Sequence, residues 1–266
     1  MPVNDPLDLE RLRVDLLEPG ALWHTLDVVA ETGSTNADLA GRARAGDASG
    51  AVLVTDYQSA GRGRLGRTWT APPGTSIAMS LLVQPNGVDP ARWTWLPLLA
   101  GVAVVEALRR VADTYPVLKW PNDVLVDGRK ICGILAERVE TPTGPACVIG
   151  IGLNVHLTEE ELPIPTATSL AVLNPSRVMG RNPVIVTILR AFAALYTEWE
   201  TSDDDTDFAV AYVARCDTIG RRVRVSMAGD RVVEGVAEAI DRDGRLVVRT
   251  EGGVQSIGAG DVVHLR

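Results

Sequence analysis

A glycine- and arginine-rich segment, GRGRLGR at residues 61–67, carries the residue types most suited to binding an anion. It contains the G-x-G-x-x-G spacing of dinucleotide-binding proteins, but that motif needs a helix at its third glycine, and the following Pro72–Pro73 pair forbids one. Glycines let backbone amides face an anion, while Arg62, Arg64 and Arg67 supply bidentate charge. The segment therefore predicts a loop that folds over a phosphate.

Two further stretches place polar side chains at the ends of predicted strands. KWPND joins a strand to a proline turn and brings Lys119, Asn122 and Asp123 to one strand end. In GRKICGIL, Lys130 precedes an apolar strand that contains Gly133, so its ammonium can project over bare backbone. Neither stretch identifies a functional site by itself. Asn and Asp after a proline are also common in ordinary turns, and a lysine at the start of a strand is more often simply exposed.

Two more polar groups lie where predicted elements begin or end. GIGLN at residues 150–154 ends an apolar strand and allows close backbone approach, with Asn154 free to bind a polar ligand edge. Ser34, Thr35 and Asn36 lie at a strand-to-helix junction, where Thr35 followed by Asp38 resembles a capping pattern.

These side chains are positioned by alternating strands and helices. Periodicity and turn residues predict strands at 26–31, 51–58, 76–83, 116–120, 123–126, 130–140 and 146–155, and helices at 9–17, 34–46, 95–111 and 183–200.

The pattern changes after residue 220, where short strands are separated by glycine-containing turns, as in a small β-barrel. The predicted strands are 221–227, 231–240, 245–250 and 254–259. We therefore predict a domain of residues 1–218, whose first 20 residues form a helical extension, and a second domain of residues 219–266.

Composition excludes several classes of protein. The 266 residues are 46% hydrophobic and 23% charged, which is typical of a folded globular chain. A net charge of -8 argues against a nucleic-acid-binding surface. We expect no signal peptide, no membrane span and reduced cysteines, hence a cytoplasmic protein. The acidic run Asp203–Asp207 is interpreted as a solvated loop.

In this order and spacing, GRGRLGRTW, KWPNDV, GRKICGIL and GIGLN resemble the biotin–protein ligase family, over residues 25–266. The resemblance implies an α+β fold, with a mixed sheet and flanking helices as in class II synthetases, followed by an SH3-like β-barrel. It implies that ATP, with Mg²⁺, activates biotin as biotinyl-5′-AMP, and that biotin passes to a lysine of a biotin carboxyl carrier domain. Because few residues precede Ser34, we expect the form without a DNA-binding domain, with no nucleic-acid or membrane partner.

The resemblance also implies roles for individual residues. Lys130, Arg64 and Asp123 are expected to be catalytic, with Asp123 as the base for the acceptor lysine. Biotin is expected to bind Ser34, Thr35, Asn36, Gln58, Gly61, Arg62, Gly63, Arg64, Lys130 and Gly133, and the nucleotide Arg64, Arg67, Trp69, Asn122 and Asn154.

Two residues depart from the family pattern. Leu65 is apolar where many relatives carry a basic residue, and Cys132 replaces a small inert residue. A thiol at that position would make the pocket sensitive to oxidants.

Three other functions are compatible with the sequence. A lipoate–protein ligase would use the same adenylate chemistry, although the arginine-rich loop favours biotin. A biotin-sensing repressor and a catalytically silent biotin-binding module are disfavoured, the first by the short segment before Ser34 and the second by the combination of Lys130, Arg64 and Trp69. The metal ligands and the oligomeric state are not predicted.

Overall fold

The computed structural model describes residues 5–176 and 179–265, and its framework is a seven-stranded mixed sheet. The strands in chain order are β1 (Thr25–Thr32), β2 (Ala51–Gln58), β3 (Ser76–Val83), β4 (Val117–Lys119), β5 (Asp123–Val126), β6 (Arg129–Thr141) and β7 (Gly144–Asn154). They lie in the order β1-β2-β3-β7-β6-β5-β4, with β1 parallel to β2 and the other pairs antiparallel. The mixed sheet expected from the resemblance is confirmed.

Helices cover both faces of this sheet. They are α1 (Leu9–Leu16), α2 (Thr35–Ala45), α3 (Trp95–Val111), α4 (Leu170–Leu173), α5 (Arg181–Thr201) and α6 (Thr206–Val213). On one face, α2 buries Leu39, Ala40 and Ala43 against the strands. On the opposite face, α3 and α5 pack into the main core. Because it is covered on both sides, β3 is buried along its whole length.

A second, five-stranded antiparallel sheet follows. It contains β8 (Arg222–Ser226), β9 (Val232–Ile240), β10 (Leu246–Thr250), β11 (Gly253–Ile257) and β12 (Asp261–His264), in the order β11-β10-β9-β8-β12. Alternating burial in β8 and β10 places one face on a small core that includes Val223, Val225 and Leu246. This sheet is consistent with the expected SH3-like domain.

The two sheets are joined near the KWPND turn. Trp120 Nε1 donates to the carbonyl oxygen of Gly244 at 3.2 Å, and Trp95 Nε1 donates to that of Arg242 at 2.8 Å. Both indoles are buried. The small sheet is thereby held against the end of the large sheet that carries the predicted site.

Within the described residues, one helical segment, Pro90–Val111, is long and apolar enough to cross a membrane. It comprises α3 and the turn before it, and 67% of its most apolar 18-residue window is buried inside the fold. Core helices of globular proteins have the same character, and here the apolar face packs on the sheet and on α5.

Several local predictions were wrong. The N-cap of α2 is Ser34 and not Thr35, because Thr35 already has helical conformation and Ser34 Oγ accepts from Ala37 N at 3.5 Å. The acidic run is not uniformly solvated: Asp205 is buried and accepts from Arg92 Nε at 2.8 Å. The short elements α4, α6 and β12 were not predicted, because brief segments have little periodicity to detect.

Candidate active site

A cavity of about 650 Å³ lies between the large sheet and β12. Its walls come from the start of α2, the end of β2, the glycine-arginine loop at residues 61–67, strands β3 and β5–β7, a loop at residues 163–167, and β12. Among the predicted site residues, all but Gly61 line it. The topology explains the convergence, since β7 lies between β3 and β6 and brings the separated motifs side by side.

One end of the cavity is a buried network of neutral hydrogen bonds. Gln58 Oε1 accepts from Thr35 N at 2.9 Å, and Thr35 Oγ1 lies 3.1 Å from the same oxygen. Ser80 Oγ, from β3, lies 2.7 Å from Thr35 Oγ1 and 2.6 Å from Asn36 Oδ1. Ser34, Thr35, Asn36 and Ser80 are all nearly inaccessible to solvent. The network fixes the donors and acceptors at this end before any ligand arrives.

Glu137 of β6 connects this network to the glycine-arginine loop. Its Oε2 accepts from Asn36 Nδ2 at 2.8 Å and from Arg62 Nη2 at 3.0 Å. Asn36 Nδ2 also donates to the carbonyl oxygen of Leu135 at 3.1 Å, so the amide orientation follows from its partners. Two predicted biotin residues, Asn36 and Arg62, therefore share one carboxylate that was not predicted.

The glycine-arginine loop has a defined backbone. Gly63 N donates to the carbonyl oxygen of Arg67 at 2.7 Å, and Trp69 N donates to that of Gly61 at 2.9 Å. At its tip Leu65 has a φ of 54° and is 67% exposed. Consequently, this segment is a closed hairpin-like turn instead of the helix that a dinucleotide motif would require.

The opposite end of the cavity is charged. Lys130 Nζ lies 2.6 Å from Asp123 Oδ1, and 5.9 Å from the centroid of the Trp69 ring. The pair forms because β5 and β6 are antiparallel neighbours, with an irregularity between Val124 and Leu125 that shifts their register. Both side chains are at most 30% exposed, so their attraction is stronger than in bulk water.

Arg64 lies beside this pair. Its Nη1 donates to Asn122 Oδ1 at 3.0 Å, and Asn122 Nδ2 donates to the carbonyl oxygen of Ile134 at 3.1 Å. Burial lowers the pKa of Arg64 from its ordinary value, but a guanidinium stays protonated in proteins. The cavity thus holds a fixed cation oriented by an amide anchored on β6.

Trp69 lies against two glycines. A Cβ on Gly152 would come within 2.6 Å of Trp69 Cε2, and one on Gly133 within 3.2 Å of Cζ3. Gly152 is therefore required for the indole to approach β7, while at Gly133 a side chain would leave the indole little space. Trp69 Nε1 is buried and has no partner among the described residues.

The small sheet also contributes to the cavity. Arg67 forms an ion pair with Asp261 at the start of β12. His264, at the end of the same strand, also lines the cavity. Burial, then the charges of Lys119 and Arg221, lower the pKa of His264. Asn154 is buried at the end of β7 and donates to the carbonyl oxygen of Thr168 at 2.9 Å.

Sequence reasoning missed several lining or anchoring residues: Ser80, Glu137, Asp261, His264 and the loop at 163–167. The available signal for Ser80 was a polar side chain inside the apolar run of β3, whereas Glu137 is one of several charged residues in β6 and was not distinguished by its surroundings in the sequence. The expectation for Cys132 was wrong: its thiol is buried in the core, outside the cavity wall, and burial raises its pKa, so the thiolate needed for oxidation is disfavoured.

No cluster of three or more His, Cys, Asp or Glu residues that could hold a metal occurs within residues 5–176 and 179–265. The two cavity carboxylates, Asp123 and Asp261, are each engaged by a cation of this chain.

Comparison with known families assigns both domains to one class of enzyme. Residues 32–154 match the model of the Biotin/lipoate A/B protein ligase family, and residues 218–265 match that of the Biotin protein ligase C terminal domain. Both matches are to families of biotin or lipoate protein ligases.

Individual relatives indicate which family of this class the chain belongs to. The chain is 44% identical over 268 residues to the biotin–[acetyl-CoA-carboxylase] ligase of Mycobacterium tuberculosis, covering 99% of this chain and 98% of that protein. It is 32% identical to the protein of the same name from Paracoccus denitrificans, over 88% of this chain and 98% of that one. The structure of the biotin protein ligase of Aquifex aeolicus in complex with biotin and ATP matches with a TM-score of 0.77 and 26% identity, over 92% of this chain and all of that one. The chain belongs to the biotin–protein ligase family.

Proposed function

We propose that this chain is an ATP-dependent ligase that forms biotinyl-5′-AMP and transfers the biotinyl group to a lysine of a biotin carboxyl carrier domain. The observation that carries the proposal is the polarity of the cavity: a neutral, buried hydrogen-bonding end faces a charged end built from Lys130, Arg64 and Asp123. A molecule with an uncharged head and a reactive anionic tail complements both ends.

The neutral end suits the ureido ring of biotin. That ring offers one carbonyl acceptor and N–H donors. Gln58 uses Oε1 for Thr35, which leaves its Nε2 to donate to the ureido oxygen, while the hydroxyls of Ser34 and Thr35 and Asn36 Oδ1 serve the N–H groups. Gly61, Gly63 and Gly133 let the backbone approach, and Arg62 closes the loop over the head through Glu137.

At the charged end, two anions must meet. Biotin's carboxylate attacks the α-phosphate of ATP, and its repulsion from the triphosphate has to be neutralised. Lys130 would exchange Asp123 for the carboxylate and then for the bridging phosphate, while Arg64, positioned by Asn122, holds phosphate oxygens. The bond from α-phosphate to pyrophosphate breaks as the mixed anhydride forms.

The other residues predicted to bind the nucleotide lie around the charged end of the cavity. Trp69 presents an aromatic surface for adenine, Asn154 contributes a buried amide, and Arg67 has a guanidinium that a phosphate can draw from Asp261. Closing the loop over the adenylate keeps water and stray amines away from the anhydride.

In the second step an acceptor lysine attacks the acyl carbon and AMP leaves. Its amine has an ordinary pKa of ~10.4 and must lose a proton before it attacks. Asp123 is our candidate for that base, because its carboxylate lies at the cavity wall and is freed when Lys130 turns to the phosphate.

Magnesium would enter with the triphosphate. No protein carboxylate cluster within the described residues can hold it, and Mg²⁺ commonly binds phosphate oxygens and water. No step here depends on a metal site of the chain.

The acceptor and cellular setting are part of the proposal. Relatives named for acetyl-CoA carboxylase support a carrier domain of such an enzyme as the protein substrate. We place the protein in the cytoplasm, with residues 1–218 as the catalytic domain and 219–266 as the SH3-like domain, and we propose no nucleic-acid or membrane partner.

One assay tests the proposal against lipoate. The protein is incubated with ATP and either biotin or lipoate, pyrophosphate release is followed, and a carrier domain is then added. We expect pyrophosphate with biotin only, followed by biotin on a single lysine of the carrier. Release with lipoate in preference to biotin would contradict the assignment.

A further inference from the structure

The chain is nearly devoid of lysine. Of its 26 basic residues, all are arginine except Lys119 and Lys130. Arginine retains the charge for ion pairs, but its guanidinium stays protonated and is a poor nucleophile, whereas a lysine amine can be acylated. The surface of this chain therefore offers arginine, and almost no lysine amine, to an amine-reactive mixed anhydride.

Both lysines line the cavity. They differ in their partners. Lys130 Nζ is held by Asp123 at 2.6 Å, so its ammonium is already engaged by a carboxylate. Lys119 forms no ion pair with any residue in the described part of the chain, and it is half-buried at the end of β4.

Lys119 is also placed for proton transfer. In the β4–β5 ladder it lies directly opposite Asp123, and directly opposite residues have Cβ atoms about 4.5–5.5 Å apart. Once Lys130 moves to the phosphate, the Asp123 carboxylate is the neighbouring base for the Lys119 ammonium. The positive charge of Lys119 contributes to lowering the pKa of His264, which also lines the cavity.

We propose that the chain is inert to biotinyl-5′-AMP over its surface and that Lys119 is its self-biotinylation site when no carrier domain is present. This rests on the proposed function. The ammonium of Lys119 gives one proton to Asp123, and the free amine attacks the acyl carbon. The C–O bond to the phosphate breaks, AMP leaves with its electron pair, and the second proton passes to solvent as the amide forms.

The test adds chemically prepared biotinyl-5′-AMP to the protein without ATP, biotin or carrier, so that adenylation is not required. Intact-mass measurement and peptide mapping then locate the label. We expect one biotinyl group on Lys119, at about tenfold the level on Lys130, because the cavity holds the reagent beside one unpaired amine. Label on the chain's α-amine is mapped separately and reports reagent free in solution.

Two variants provide the controls. Lys119→Arg keeps the charge and should reduce the lysine-borne label to the low level on Lys130. Arg242→Lys places an amine at a side chain that is 87% exposed and outside the cavity wall, and it should acquire a second label.

Each outcome decides a part of the proposal. Undiminished lysine label in Lys119→Arg, or equal label on Lys119 and Lys130 in the native chain, would overturn the site. An unlabelled Arg242→Lys, or label on hydroxyls of the native chain, would overturn the role of the missing lysines. Pyrophosphate release with ATP and biotin is measured in parallel, so failure of the proposed function is seen independently of failure here.

Discussion

The two ends of the cavity are built on different principles. At the neutral end, Thr35, Asn36 and Ser80 are buried and hydrogen-bonded to one another on the rigid sheet and helix. At the charged end, Lys130 and Arg64 are only partly covered and are engaged by Asp123 and Asn122.

This difference separates recognition from chemistry. The uncharged head of biotin is recognised by dipoles, which cost little to hold in place. The neutral end of the cavity can therefore be fully formed before biotin binds. Cations awaiting an anion need temporary partners, because an unpaired buried charge is costly. We expect substitutions at the charged end to affect rates and those at the neutral end to affect biotin binding.

The largest effect is expected from Lys130→Ala. It removes the cation on which the carboxylate and phosphate converge, and losing one such stabilising group costs about 10²–10³-fold in rate. Single-turnover pyrophosphate release should fall by that factor. A near-native rate would exclude Lys130 from adenylation.

Arg64→Gly should weaken retention of the intermediate. It removes a charge-assisted hydrogen bond worth about 1.5–3 kcal/mol and adds backbone freedom to the loop. We expect adenylate to form still, but to leave about 10–100-fold sooner and to label lysines of an unrelated protein in the same tube. Strict acceptor choice together with an unchanged adenylate lifetime would contradict this.

Trp69→Ala is expected to weaken ATP binding more than biotin binding. Stacking of a purine on an aromatic ring is worth about 1–3 kcal/mol by analogy with base–aromatic contacts. Titration calorimetry with each ligand separates the effects. Equal losses for both would mean that the indole supports the strands beneath it, at Gly133 and Gly152, instead of binding adenine.

The smallest of these effects is expected from Glu137→Gln. The variant keeps the shape but removes the charge that accepts from Asn36 and Arg62. We expect biotin binding to weaken by about tenfold, the equivalent of one hydrogen bond to a charged group. The ATP affinity should be unchanged. Glu137→Asp, which restores the charge on a shorter side chain, should recover part of the loss, and loss of ATP binding as well would indicate general damage.

The sequence by itself determined most of the local structure. The predicted bounds of β2, β3 and α3 coincide with those observed, because each is a long apolar run with clear flanking turns. It also determined which motifs could bind an anion, since glycine, arginine and lysine have chemistry independent of their surroundings.

Tertiary structure alone decided how these residues meet. The contact of Glu137 with Asn36 spans 101 positions, and that of Arg67 with Asp261 spans 194. Neither depends on local propensity. Both follow from the order of strands in the large sheet and from the docking of β12 beside it, which are selected by burial of apolar surface across the whole chain. Local sequence signals do not encode those long-range pairings.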